Sequence, residues 1–172
     1  MASSQNKNKS AGKILIQADI SGEILLCPEG LSFWGGVDPE TGTIIDIHHP
    51  CYQQNISGKI LMMPSSRGSC SGSGVLLELC LKNIAPAAII FHEAEEILSL
   101  GALVAERIFN KPIPIIKLKK QHYLILRNSS WATIHRNRLQ TDGFDFELTV
   151  IKTEHLYLSK YDKDILVGKY GN

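Results

Sequence analysis

Between residues 63 and 74 the chain reads MPSSRGSCSGSG. Five serines (Ser65, Ser66, Ser69, Ser71 and Ser73), three glycines (Gly68, Gly72 and Gly74) and the lone cation Arg67 lie between an apolar strand-like run and an apolar helix-like run. A small-residue loop that opens a helix is suited to anions, because free backbone N–H groups and the helix dipole converge on whatever sits there. The glycines permit positive φ and close backbone approach. Arg67 adds a planar fork matched to a carboxylate or phosphate, and Ser73 reads as the helix N-cap. A serine in such a place could also act as a base, since amide donors and a guanidinium lower the cost of forming an alkoxide. The plainer alternative is a loop whose serines only cap the helix and satisfy turn amides. Three familiar motifs are absent. The G-x-x-x-x-G-K-[ST] phosphate loop is missing, Leu77 stands where a dinucleotide fingerprint needs its third glycine, and Ser69 and Ser73 occupy the glycine positions that a nucleophile elbow would need around Ser71.

The elements that position this loop follow from the apolar pattern. KILIQADI at 13–20 and GEILL at 22–26 read as two strands. The stretch 27–42, dense in Gly and Pro, predicts a long loop with turn chemistry at Gly35–Gly36 and at 38–42. TIIDI at 43–47 and GKILMMP at 58–64 read as strands. Val75, Leu76, Leu79 and Cys80 mark one helix face, and Pro86 stops that helix. AAIIF at 87–91 is the next strand. Glu93, Glu95 and Glu96 open a second helix through Phe109, placing acidic groups at its positive end, and PIPIIKL at 112–118 is a further strand. The alternation predicts an α/β fold: a mixed sheet with right-handed crossovers and helices packed on it. Residues 1–12 are expected to be a disordered tail.

At 172 residues, 44% of them apolar and 20% charged, the chain suits a single domain with a substantial core. A net charge of +1 advertises neither a nucleic acid nor a membrane partner. The eight Lys and Arg between residues 107 and 141 have no acidic neighbours. They are read as a solvated surface answered by Asp142, Asp145, Glu147 and Glu154 rather than as a nucleic-acid patch. The polar N-terminus lacks the apolar core of a secretory signal, so Cys27, Cys51, Cys70 and Cys80 are expected as reduced thiols of a cytoplasmic protein. Their spacing lacks a paired zinc signature, and no metal is expected on this chain. His48 and His49, adjacent and so facing opposite ways on a strand, are not expected to chelate one ion together, although one of them could face the site.

LSFWGGVDPETG at 31–42, MMPSSRGSCSGSGVLLEL at 62–79 and ILSLGALVAERIF at 97–109 together resemble the small, swivelling subunit of aconitase X, within the aconitase superfamily. The resemblance spans 13–118. It implies a swivelling β/β/α domain there, with 119–157 as a linker or added β-hairpin. Residues 158–172 resemble the opening of the large catalytic chain. Family members are dehydratases, acting on cis-3-hydroxy-L-proline in one branch and on mevalonate 5-phosphate in another. In both, a loop serine accepts a proton while the large unit carries iron or an iron–sulfur centre. The resemblance therefore implies Ser69 as base, Arg67 as clamp on the substrate carboxylate, and Ser66, Gly68 and Ser71 as supporting groups. Cys70 is read as a small packing residue. The implied partners are the large unit, separate or fused, and a small carboxylate substrate. Asp46 to Pro50 looks closer to the hydroxyproline branch, with mevalonate 5-phosphate dehydration as the alternative. The contrasting expectation from another class is a non-catalytic module that only grips an anion or a partner.

Overall fold

The computed structural model describes residues 10–152. Within them an eight-stranded sheet closes on itself. Its strands are β1 (Gly12–Ile14), β2 (Ile20–Leu26), β4 (Ile60–Met62), β6 (Ala88–Phe91), β7 (Ile115–Leu118), β8 (Trp131–His135), β9 (Arg138–Gln140) and β10 (Asp145–Val150), in the order β1-β10-β9-β8-β2-β4-β6-β7. A separate two-stranded ledge pairs β3 (Leu31–Ser32) with β5 (Ser66–Arg67). Three helices complete the described residues: α1 (Ser71–Leu81), α2 (Ile97–Phe109) and α3 (Lys120–Leu126).

The two halves of the barrel differ because only one of them is covered by helices. β2, β4, β6 and β7 run parallel to one another. Ile24, Ile60, Met62, Ala88, Ile90 and Ile116 point into the barrel. Leu25, Leu61, Ile89, Phe91 and Ile115 point outward, into a second core with Leu76 and Leu79 of α1 and Leu98 and Ala102 of α2. Strands buried on both faces need unbroken apolar runs, which is why ILMM and AIIF read so cleanly. The antiparallel half, β8 to β10, has one face toward water and alternates: Ala132, Ile134, Leu139, Phe146 and Leu148 fill the barrel. Across it, Arg138 answers Asp145 through Nη2 at 2.7 Å and Nε at 3.0 Å.

The expected mixed sheet with packed helices is present, and several elements differ in detail. TIIDI forms only isolated bridges, Val37 to Ile44 and Thr43 to Asn55, because the segment 33–57 folds on itself through turns rather than along a neighbouring strand. The helix α3 has only Tyr123 and Leu126 buried, seated against the barrel interior, and so carries a weak apolar signal. A hairpin, β8–β9, does follow Lys119, but it lies in the barrel wall. β8 pairs with β2 from Ile20–Ile134 to Glu23–Trp131, and β10 pairs with β1. The barrel thus spans Gly12 to Val150. The tail expected at 1–12 lies outside the described residues up to position 9, with Gly12 already in β1. The segment at 158–172 lies outside them entirely.

Ending the chain after Leu118 would remove three of the eight strands and expose the barrel interior. Such a truncation is expected to lose cooperative thermal unfolding by circular dichroism, whereas residues 10–152 retain it.

Candidate functional site

The loop from Ser65 to Gly74 leaves the end of β4, runs along the ledge strand β5 and enters α1. Parallel pairing of Leu31 with Ser66 and of Ser32 with Arg67 holds its first half. Gly30 lies under the same strand, where an added Cβ would sit 2.7 Å from the Ser65 carbonyl oxygen. The chain then reverses at Gly68, whose φ is +95° and whose hypothetical Cβ would come within 2.6 Å of Ser32 Oγ. Only glycine fits there without strain.

Ser69 follows directly and is exposed. Its hydroxyl makes no hydrogen bond among the described residues, although its carbonyl accepts the Gly72 amide at 3.1 Å. The amides of Ser69, Cys70 and Ser71 donate to no carbonyl among those residues and lie at the positive end of the 11-residue α1. The cap is Cys70, not Ser73. The helix begins at Ser71, so Ser73 lies inside its first turn and returns its hydroxyl to the Cys70 carbonyl at 2.6 Å. Cys70 is exposed rather than packed.

Arg67 is exposed as well, with Nη1 3.6 Å from Glu29 Oε2. An exposed pair of this kind contributes about 1 kcal/mol or less, so the guanidinium is readily redirected. Ser66 is held differently: its hydroxyl donates to Glu95 Oε1 at 2.6 Å. That carboxylate also accepts the Leu98 amide at 2.7 Å, the Ser99 amide at 2.9 Å and the Ser99 hydroxyl at 2.9 Å. Glu95 thus caps α2 and ties the ledge to it, a role hidden from the sequence because its partners are 29 residues apart. The acidic opening of α2 was legible; the link to Ser66 was not. The structure brings Arg67, Gly68, Ser69 and Ser71 together on one open surface, with Ser66 turned to Glu95.

The neighbouring segment divides sharply. Phe33 is buried while Trp34 is 65% exposed, beside Ser32, which donates its hydroxyl to the Trp34 carbonyl at 3.0 Å. His48 is exposed and His49 is 4% exposed. His49 lies with Cys27 and Cys51, and the ligand atoms of the three fall within 4.8 Å of one another. Burial pushes the Cys27 thiol well above its ordinary range, and the adjacent Cys51 pushes it further in the same direction. At the serine loop itself no three metal-ligating side chains meet among the described residues.

The model for the aconitase X swivel domain matches residues 9–141. This chain belongs to the aconitase X swivel-domain family. The match runs past Lys119 into β9, as a swivel domain closed by its antiparallel half requires. The chain is 47% identical over 128 residues to a protein of Pseudomonas aeruginosa named cis-3-hydroxy-L-proline dehydratase, covering 74% of this chain and 22% of that one. It is 39% identical over 124 residues to a phosphomevalonate dehydratase small subunit of Methanococcoides burtonii, covering 72% and 83%. Among solved structures it resembles aconitase X of Thermococcus kodakaraensis in its holo-form, with a TM-score of 0.57 and 39% identity over 63% of this chain and 78% of that one. The swivel domain thus spans about a fifth of the hydroxyproline dehydratase that it matches, and most of the archaeal small subunit.

Replacing Gly68 by Ala forces a Cβ onto Ser32 Oγ at a positive φ. It is expected to lower stability by about 1–3 kcal/mol in urea denaturation. The change Gly74→Ala, at a helical position with open space around it, is expected to raise stability by up to about 1 kcal/mol.

Proposed function

We propose that this chain is the swivelling component of an aconitase X-type hydro-lyase that eliminates water from cis-3-hydroxy-L-proline, with Ser69 as the base. The observation that carries the reading is the exposed Ser69 hydroxyl, without a hydrogen-bond partner among the described residues, placed one residue after the Gly68 reversal and beside three amides that donate to no carbonyl there. In the proposed step the Ser69 oxygen takes the proton α to the substrate carboxylate. The C–H electron pair becomes the new double bond, and the β-hydroxyl departs with its bonding pair. Arg67 turns from Glu29 to the carboxylate. The free amides of Ser69, Cys70 and Ser71 stabilise the charge that develops on it and help hold Ser69 deprotonated. Ser66, committed to Glu95, acts by holding the ledge in place.

An open cradle does not exclude water, and low-dielectric surroundings are needed for these contacts to act at strength. The reading therefore requires a large aconitase X unit that covers the loop and supplies the iron centre, whose chemistry is to polarise the leaving hydroxyl. The exposed Trp34, Ile45, Ile47 and Tyr52 lie on the segment next to the cradle, and they suit the rim of such a contact. Hydroxyproline is favoured over mevalonate 5-phosphate by the longer match at high identity to the dehydratase of that name, 47% over 128 residues, against 39% over 124 and 46% over 84 for small subunits of the phosphomevalonate enzyme. No helix among the described residues is long and apolar enough to cross a membrane. The expectations of a cytoplasmic setting and of no nucleic-acid partner belong to this reading.

The test is reconstitution with a large aconitase X unit and an assay of water elimination on both acids. Ser69→Ala is expected to lower kcat by about a hundred- to ten-thousandfold with KM little changed. Arg67→Lys is expected to raise KM by about tenfold or more, because a point charge replaces the fork. A Ser69→Ala complex as fast as the parent would remove the base, and turnover of mevalonate 5-phosphate alone would move the substrate to the other branch.

A further inference from the structure

His49 is the one polar or charged side chain that is buried among the described residues, and it sits between two buried thiols, Cys27 and Cys51. None of the three enters the proposed elimination. Cys27 closes the end of β2, and the other two come from a run of consecutive turns: His49 N to Asp46 O, Tyr52 N to His49 O and Gln54 N to Cys51 O.

The contacts around the imidazole fix its tautomer. Nδ1 accepts the Cys51 amide at 3.1 Å. Nε2 faces the Glu29 carbonyl at 3.4 Å and, since a carbonyl can only accept, carries the proton. A backbone carbonyl on one ring nitrogen is the usual partner that orients a metal-binding histidine and leaves the other nitrogen for the ion. The Cys51 thiol donates to the Leu26 carbonyl at 3.4 Å.

The geometry points to a structural zinc site in which Cys27 Sγ, Cys51 Sγ and His49 Nδ1 bind one Zn²⁺, with the Leu26 carbonyl within reach of the fourth position. Zinc bond lengths place neighbouring atoms of a tetrahedron about 3.6–3.8 Å apart. Ligand atoms already within 4.8 Å therefore need to draw in by roughly an ångström at most. Charge selects the ion. Two thiolates, a neutral imidazole and a divalent cation sum to zero, which a sealed apolar site tolerates, whereas a monovalent soft ion would leave a net negative charge. Oxygen-seeking Mg²⁺ and Ca²⁺ are poorly matched to sulfur, and Zn²⁺ binds such donors more strongly than Fe²⁺ or Mn²⁺. On binding, two S–H bonds break, two Zn–S bonds form and two protons leave to solvent; no electron moves. The Cys51 amide gives up Nδ1. The ion would pin the end of β2 to segment 46–54 directly beneath Glu29, whose carboxylate faces Arg67. It would brace the cradle from below and take no part in its chemistry.

The test is a Co²⁺ titration of the whole chain, purified under reducing conditions and stripped with a chelator. One equivalent is expected to bind with intense near-ultraviolet thiolate-to-cobalt absorption. Zn²⁺ should displace it and raise the melting temperature of the chain. Cys27→Ser and Cys51→Ser are each expected to weaken binding at least a hundredfold, while Cys70→Ser and Cys80→Ser bind as the parent does. Three results would overturn the site: no charge-transfer band in the fully reduced parent chain, equal binding by the Cys27→Ser/Cys51→Ser double variant, or a Cys27–Cys51 disulfide in chain alkylated at cell lysis. Because the parent chain alone gives the first readout, a variant that fails to fold does not rescue the proposal. None of the readouts depends on hydro-lyase activity.

Discussion

Both edges of β1 are paired, antiparallel to β7 and parallel to β10, and without this three-residue strand each of those neighbours would present an open row of amides and carbonyls. Closure is what removes edges from a sheet. It depends on close approach at Gly12, where a Cβ would lie 2.2 Å from the Lys117 carbonyl oxygen. Bonds just beyond the strand extend the seam: Ala11 N to Glu147 O, Lys119 N to Ala11 O and Ile151 N to Ile14 O. The barrel is shut and its interior is filled by side chains. The serine loop lies outside it, on the helix-covered flank.

On that flank the serine loop is fixed from two directions. From one side, β3 supplies a parallel partner and Ser32 leaves room only for glycine at 68. From the other, Glu95 uses a single carboxylate both to cap α2 and to hold Ser66. The helices meet tightly at the same level, since Gly101 lies where a Cβ would be 2.8 Å from the Ser73 carbonyl oxygen. Position is therefore imposed on Ser69 by packing and hydrogen bonds around it, while its own hydroxyl stays unengaged.

Legibility in the sequence followed how local each signal was. β4 and β6 announced themselves because burial on both faces demands unbroken apolar runs. The turn at 38–42 was equally plain, and there Asp38 accepts the Glu40 amide at 3.0 Å and the Thr41 hydroxyl at 2.8 Å. The loop from Ser65 to Gly74 stood out by composition. What stayed hidden was non-local. Three residues of β1 are too few to reveal two partners, and α3 shows only Tyr123 and Leu126 as a stripe. TIIDI has the composition of a strand, yet it meets Val37 and Gln54 rather than a sheet edge. Cys27 and the His49-Pro50-Cys51 string are joined only by the fold.

The ledge of β3 and β5 shares no ladder hydrogen bond with the barrel wall. A tilt of the ledge, or a changed side chain along it, leaves every rung of the closed sheet intact. Change along the ledge is thereby uncoupled from the thermodynamic foundation of the chain. Sequence drift can reshape the tip without first gambling the architecture beneath.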